Sequence, residues 1–405
     1  MHMNSASVSS GVTTPQGFKA AGISVGIKRS AEQPDLALLV SDTPATAAAV
    51  FTISRAPAAP ILVSREHLAR SHGMTRAIII NSGCANACTG DEGLEVAREM
   101  ARETARLIGC RPEEVLVAST GVIGVALPID KLTRGLPAAV AALGANQGAA
   151  AARAIMTTDP FPKEAAAFMV AEGRTIGIGG MAKGSGMIEP MLATMLGFLT
   201  TDAAVPKLLL DRALREAVED TFNAITVDGE CSTNDCVMIL ANGVSGVTID
   251  ETNYFEFVGA LTGVCRALAL GIVRGGEGAT KLVTVTVTGA ASSDEARKAA
   301  KAIANSPLVK TAVHGGDPNW GRLVAVAGRA GVAFELSRAA VTIGSTVLFR
   351  DGRPYHESAP RAAQYLKANT DVQLSVDLGA GSASSTVWTC DLSAEYVRIN
   401  ADYRT

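Results

Sequence analysis

Large aromatic side chains are scarce in this sequence: ten Phe, five Tyr and two Trp make up 4% of its 405 residues. A core built on stacked rings is therefore excluded, and the 40 glycines and abundant alanine point instead to closely packed elements joined by tight turns. An excess of one charge is also missing. With 36 basic and 39 acidic residues the net charge is −3, which offers little to a phosphate backbone or an anionic lipid surface, so neither nucleic acid nor membrane is an expected partner. No uninterrupted apolar run of about 18 residues occurs. The alanine-rich stretch 136–155 is broken by Gly144, Asn146, Gln147 and Arg153 and reads as a helix of a soluble protein. The seven cysteines are odd in number, scattered and without paired metal spacing. Cys84 and Cys88 lack a second pair or a histidine cluster and read as small buried thiols, so no metal is expected and a reducing cytoplasm is the expected setting. The opening residues lack a basic segment followed by an apolar one, so no secretory signal is expected.

What remains is 48% hydrophobic and 19% charged, in the range of globular proteins and long enough for two domains or one large one. Between 91 and 108, apolar residues recur at Leu94, Ala97, Ala101, Ala105 and Ile108. This is a helical stripe with Asp91 and Glu92 at its positive end and Gly109 just past the other. Pro112 then leads into Val115-Leu116-Val117-Ala118, a buried strand ending at Thr120-Gly121. The same grammar recurs, with helices near 205–222, 254–272, 294–304 and 359–368 and strands near 236–240, 282–288, 341–349 and 372–376. Ser292 or Ser293 caps the helix at 294. A mixed α/β fold with short connections follows. Gly177-Ile178-Gly179-Gly180-Met181-Ala182 has the spacing of a dinucleotide loop, but Gly184 and Gly186 interrupt the helix it needs. Lys183 precedes its glycine instead of following it, so no nucleotide or other cofactor is expected.

The stretch 183–195, Lys183-Gly184-Ser185-Gly186-Met187-Ile188-Glu189-Pro190-Met191-Leu192-Ala193-Thr194-Met195, is the most informative. On its residues alone it reads either as a glycine turn entering a buried strand or as a bond that the chain cuts for itself. Cleavage between Ala193 and Thr194 would give Thr194 a free α-amine beside its own hydroxyl. An α-amine with a pKa of about 7.7–8.0 is partly neutral near physiological pH and can take the hydroxyl proton, so nucleophile and base share one residue. The chemistry implied is acyl transfer.

Seven further blocks keep it company in one order: Asn81-Ser82-Gly83-Cys84-Ala85-Asn86-Ala87, Ser119-Thr120-Gly121-Val122-Ile123-Gly124, Met156-Thr157-Thr158-Asp159, Thr226-Val227-Asp228-Gly229, Ser232-Thr233-Asn234-Asp235, the run from His314 to Arg322, and Asn400-Ala401-Asp402-Tyr403-Arg404-Thr405. Together the eight resemble the ornithine acetyltransferase family, also called glutamate N-acetyltransferase, over nearly the whole chain. The resemblance implies a layered αββα-type core with a smaller C-terminal α/β domain. It implies self-cleavage into an alpha chain, 1–193, and a beta chain, 194–405, intertwined in one core and assembled as a heterotetramer of two alpha and two beta chains. The implied reaction moves the acetyl group from N2-acetyl-L-ornithine to L-glutamate by a ping-pong acetyl-threonine mechanism in cyclic arginine biosynthesis. Some family members also accept acetyl-CoA, which the sequence leaves undecided.

The resemblance also assigns roles. Thr194 is the nucleophile, and the Thr120 hydroxyl with the Gly121 backbone amide holds the oxyanion. Substrate contacts fall to Thr157, Lys183, Glu277, Asn400 and the terminal Thr405, with Thr157 and Thr158 interchangeable by one position. Lys183 suits the substrate α-carboxylate; Glu277, between glycines, suits the ornithine ammonium or the Thr194 amine. His314 and Asp317 look like a catalytic pair, but no serine or cysteine motif accompanies them and the block reads as structural. Asp228, Asn234 and Asp235 read as a turn that shapes the core. Glu230 stands where the family carries aspartate and Leu192 where it often carries methionine, and neither touches the implied chemistry. The competing enzymatic reading is an N-terminal-nucleophile aminopeptidase or amidase of related architecture, in which water replaces glutamate; the non-enzymatic one is a binding protein whose Ala193-Thr194 strand is structural.

Overall fold

The computed structural model describes residues 11–30, 32–189 and 195–402. The chain begins with β1 (Phe18–Ile23), β2 (Leu36–Phe51), α1 (Ala59–Arg70), β3 (Met74–Cys84), α2 (Gly90–Ile108), β4 (Val115–Val122), α3 (Ile129–Ala141) and α4 (Gly148–Ala154). It continues through β5 (Lys163–Ala171), β6 (Arg174–Lys183), β7 (Leu196–Thr201), α5 (Lys207–Glu219), β8 (Cys236–Ala241) and α6 (Tyr254–Arg274). A second unit follows: β9 (Leu282–Ala290), α7 (Ser293–Ala304), α8 (Pro307–Gly315), α9 (Trp320–Arg329), β10 (Ala340–Ile343), β11 (Thr346–Arg350), β12 (Arg353–Pro354), α10 (Ala359–Ala368), β13 (Asp371–Asp377), β14 (Ala383–Cys390) and α11 (Ala394–Asp402).

The first unit holds an eight-stranded sheet in the order β4-β3-β2-β8-β7-β6-β5, with β1 beside β2. Strand β2 belongs to two halves of it. Its first residues pair with β1 and β3 and its last with β8, with an irregularity between Val40 and Ala45. Alternation along the strands then sorts the core into layers. Leu39, Ile78 and Ile80 on one half share an inner apolar cluster with Phe198 and Met238 on the other. Leu38, Ile79 and Val117 face outward onto Met100 of α2 and Leu136 of α3, whereas Ile178 and Ile239 face Leu210 of α5 and Leu261 and Leu268 of α6. The result is helix, half-sheet, half-sheet, helix, as the resemblance implies. Strands from either side of residue 193 interleave, because β7 and β8 lie between β2 and β6.

The second unit is a six-stranded sheet, β12-β11-β10-β13-β9-β14, in which β9 and β13 run parallel. Val283, Val285 and Val287 of β9 face a cluster completed by α7, α9 and α10, so helices cover one face. Ser292 caps α7 by accepting the N–H of Glu295 at 3.2 Å.

Three expectations need revision. The stretch 136–155 is two helices, α3 and α4, because Gly144 between them forms a two-way backbone bridge with Ala20 of β1 (3.0 and 3.1 Å). The strand expected at 341–349 is the hairpin β10–β11, turned at Gly344, whose φ of +59° suits glycine. Of the two cysteines read as buried, Cys84 is buried but Cys88 is exposed. Residues 177–182, the rejected nucleotide motif, lie inside β6; a Cβ at Gly179 would stand 2.0 Å from the Gly11 carbonyl oxygen, so close packing explains that glycine. Helix α6 is long and apolar enough to cross a membrane by length and composition, but its Phe257, Leu261, Val264, Leu268 and Ile272 are spent on the core.

Candidate active site

Strands β3 and β4 run parallel and end side by side, with Gly83 opposite Gly121. Gly121 has φ +129°, and a Cβ there would lie 2.4 Å from the Gly83 carbonyl carbon. Only glycine allows this approach. Beside it, the Thr120 hydroxyl is 3.2 Å from the ammonium of Lys183, the last residue of β6. Lys183 pairs in register with Leu196 at the start of β7, and the carbonyl of Met195, just before, accepts the N–H of Cys236 at the start of β8 (3.0 Å). Five strand ends thus gather around one cavity of about 160 Å³.

Of the residues proposed from sequence, Thr120, Gly121, Thr157, Lys183, Glu277 and Asn400 all line this cavity. Thr158 lines it too, so lining alone does not choose between Thr157 and Thr158. Ala193, Thr194 and Thr405 lie outside the described residues, as does Leu192. Met195, which follows Thr194 in the chain, lines the cavity. Glu277 is 7% exposed. It receives the Asn400 side-chain amide at 2.7 Å and sits where any side chain at Gly186 would be, 2.4 Å from that Cβ position. Helix α11 thereby brings residue 400 to the site.

The residues read as a core-shaping turn also line the cavity. Asp228 accepts the N–H groups of Met187 (2.7 Å) and Ile188 (2.8 Å), together with the hydroxyl of Tyr396 (3.2 Å). Burial and the neighbouring Asp228 push the Tyr396 phenol up. Asn234 donates to the carbonyls of Ala85 (2.6 Å) and Ser119 (2.9 Å), tying β8 to the ends of β3 and β4. Asp235 is buried, and burial raises its carboxyl well above the usual range against the opposing pull of its Ser232 hydrogen bonds and the Lys183 charge. Glu230, expected to stand apart from the chemistry, lines the same cavity.

His314 does not pair with Asp317. Its Nδ1 lies 2.7 Å from Asp391, which also accepts from the Thr280 hydroxyl and from the backbone of Thr280 and Lys281, while Asp317 accepts from the Asn319 amide. The block therefore packs within the second unit, with Arg322 donating to the Leu308 carbonyl and Trp320 stacking on Phe349, instead of forming a catalytic pair. Sequence reasoning missed Lys163 and Tyr396, and left Asp159 and Ser232 without roles. Lys163 and Asp159 form a buried ion pair whose i,i+4 spacing was readable, although neither lies on a helix. Among the described residues no group of three or more His, Cys, Asp or Glu could hold a metal.

A hydroxyl, a strand-end glycine, an ammonium and a carboxylate thus line one small cavity within a layered α/β fold. This defines a protein suited to a small zwitterionic or anionic substrate and to chemistry that develops an oxyanion. The chain belongs to the ArgJ family, which it matches over residues 19–405. It is 50% identical over 399 residues to the arginine biosynthesis bifunctional protein ArgJ of Symbiobacterium thermophilum, covering 98% of each chain. It is 48% identical over 409 residues to the protein of that name from a Synechococcus strain, again covering 98% of each. Among solved structures, the arginine biosynthesis bifunctional protein argJ of Bacillus halodurans matches at 43% identity with a TM-score of 0.50, covering 52% of this chain and all of that one.

Proposed function

We propose that this chain transfers the acetyl group of N2-acetyl-L-ornithine to L-glutamate within arginine biosynthesis, after cutting itself between Ala193 and Thr194. One observation carries the reading: membership of the ArgJ family over nearly the whole length, with Thr120, Gly121, Lys183, Glu277 and Asn400 converging where β7, the strand that follows Thr194, begins.

In maturation the Thr194 hydroxyl attacks the Ala193 carbonyl. The C–N bond breaks, the released nitrogen gains a proton as the new α-amine, and water hydrolyses the resulting ester. In turnover that amine takes the hydroxyl proton while the oxygen attacks the acetyl carbonyl. Ornithine leaves, glutamate enters, and its amine takes the acetyl group from Thr194. Both oxyanions fall to the Thr120 hydroxyl and the Gly121 N–H. Lys183 holds the α-carboxylate common to both substrates, Thr157 assists, and Glu277, steadied by Asn400, faces the ammonium that distinguishes ornithine. Thr405 completes the site.

The fragments, 1–193 and 194–405, stay together because their strands alternate in one sheet, and they assemble as two of each in the cytoplasm. Acetyl-CoA serves as a second acetyl donor, in keeping with the relatives' description as bifunctional.

Mass spectrometry after incubation with N-acetylornithine tests the reading. The expected result is a peptide beginning at Thr194 that carries one added acetyl group and loses it to glutamate. Active enzyme that runs as a single 41.5 kDa band, or acetate release with no transfer to glutamate, would overturn it, the latter in favour of the amidase.

A further inference from the structure

The carboxylate of Asp159 takes no part in the steps above, yet it is wholly enclosed and touches two walls of the cavity. One oxygen accepts the N–H of Thr157 at 3.0 Å; the other accepts the N–H of Gly184 at 2.8 Å. The Lys163 ammonium reaches the same carboxylate and also donates to the Gly184 carbonyl at 3.0 Å. Both polar groups of Gly184 are therefore held, immediately after Lys183. Room for the lysine comes from α6 and its C-cap, where a Cβ at Gly275 would lie 3.1 Å from the Lys163 Cε.

Charge points the same way. Burial alone would raise the Asp159 carboxyl, but the charges of Lys183 and Lys163 hold it down to about 2, so it is ionised at neutral pH. Asp159 faces the charges of Lys183 and Lys163 and, more weakly, that of Lys28. Lys163 is matched by direct contact, whereas among the described residues the hydrogen-bond partner of Lys183 is a neutral hydroxyl, that of Thr120.

We propose that Asp159 is a positioning residue for substrate: a single carboxylate that sets the spacing between Thr157 and Lys183 and leaves the Lys183 ammonium available to a substrate carboxylate. The assignment rests on acetyl transfer between amino acids being the reaction. Asparagine at this position would keep the size but offer one acceptor oxygen, turning an NH2 group against the N–H of Thr157 or of Gly184. One wall must then move away.

The test is steady-state kinetics of transfer from N-acetylornithine to glutamate by the wild type, Asp159→Asn and Asp159→Glu, with folding followed by thermal unfolding. Moving Lys183 off the carboxylate that both substrates share weakens a charge-assisted bond made on binding, so KM for both substrates is expected to rise together by about 10- to 100-fold in Asp159→Asn. KM does not depend on the fraction of enzyme that is folded or cut. A merely structural role would lower kcat and leave KM unchanged. Asp159→Glu keeps the charge that Lys163 requires but shifts both oxygens by a methylene, and the same rise is expected if the asparagine variant does not fold. Wild-type KM in either folded variant overturns the assignment, and no transfer by the wild type would remove the reaction and this assignment with it.

Discussion

The two units of the molecule bury different things. In the six-stranded unit the enclosed side chains are overwhelmingly aliphatic: Val285, Val341, Leu374 and Ala300 are 0–1% exposed. In the eight-stranded unit the aliphatic layers are just as dry, but its strand ends enclose Asp159, Lys163, Lys183, Asp235 and Glu277. Burying charge costs free energy unless the charge is paired and hydrogen-bonded, so such residues gather where something other than stability requires them. The apolar unit is not idle. It lends Tyr396 and Asn400 to the cavity, and Lys310 of α8 donates to the Val227 carbonyl (2.6 Å), next to Asp228.

Changes at the polar end should therefore alter chemistry, and changes in the aliphatic core of the six-stranded unit should alter stability alone. The largest effect is expected from Thr194→Ala, which should run as one uncut 41.5 kDa chain and transfer no acetyl; retained transfer would break the contrast at its strongest point. Gly121→Ala comes next. Its Cβ would strike Gly83 and move a proposed oxyanion donor, lowering kcat on the order of 10²- to 10³-fold, as a single-turnover assay would read.

Across the divide, Leu374→Ala should cost about 2–5 kcal/mol by urea unfolding, with KM unchanged; a shifted KM would mean the units are coupled more tightly than their cores suggest. The smallest effect concerns pH. Because the folded-state carboxyl of Asp159 lies below its ordinary 3.8, at about 2, its contribution is complete above 3.8 and is lost as pH falls towards 2. The amount is about 2 kcal/mol. Unfolding compared at pH 5 and pH 2.5 should show a shallower fall in Asp159→Asn than in Leu374→Ala, and equal falls would remove Asp159 from the account.

Legibility follows the same divide. The valine and threonine alternation of β9 and the stripe of α2 were readable because one face of each is covered and the other is not. Strand β2 was not. Its sequence LALLVSDTPATAAAVF serves two half-sheets, so its buried face changes partway and no single period survives. The composition of β5, KEAAAFMVA, suits a helix as well as a strand, and its place at the sheet edge came from pairing with β6. At the site, the Thr120-Gly121 strand end and Lys183 were legible as motifs. The Asp228–Tyr396 contact, 168 residues apart, and the pairing of His314 with Asp391 had no local signal.

From sequence alone came the mixed α/β class, five of the eleven helices among the described residues, the C-terminal glycine of α2 and the serine cap of α7, the rejection of a nucleotide loop and the set of residues worth testing. Each depends on spacing within one or two turns of chain. Tertiary structure decided which of those residues meet, that Asp159 joins two walls of one cavity, and that Gly144 would break a helix in order to pair with Ala20. Such outcomes depend on contacts between distant segments, whose free energy outweighs local preference only once the layers have closed.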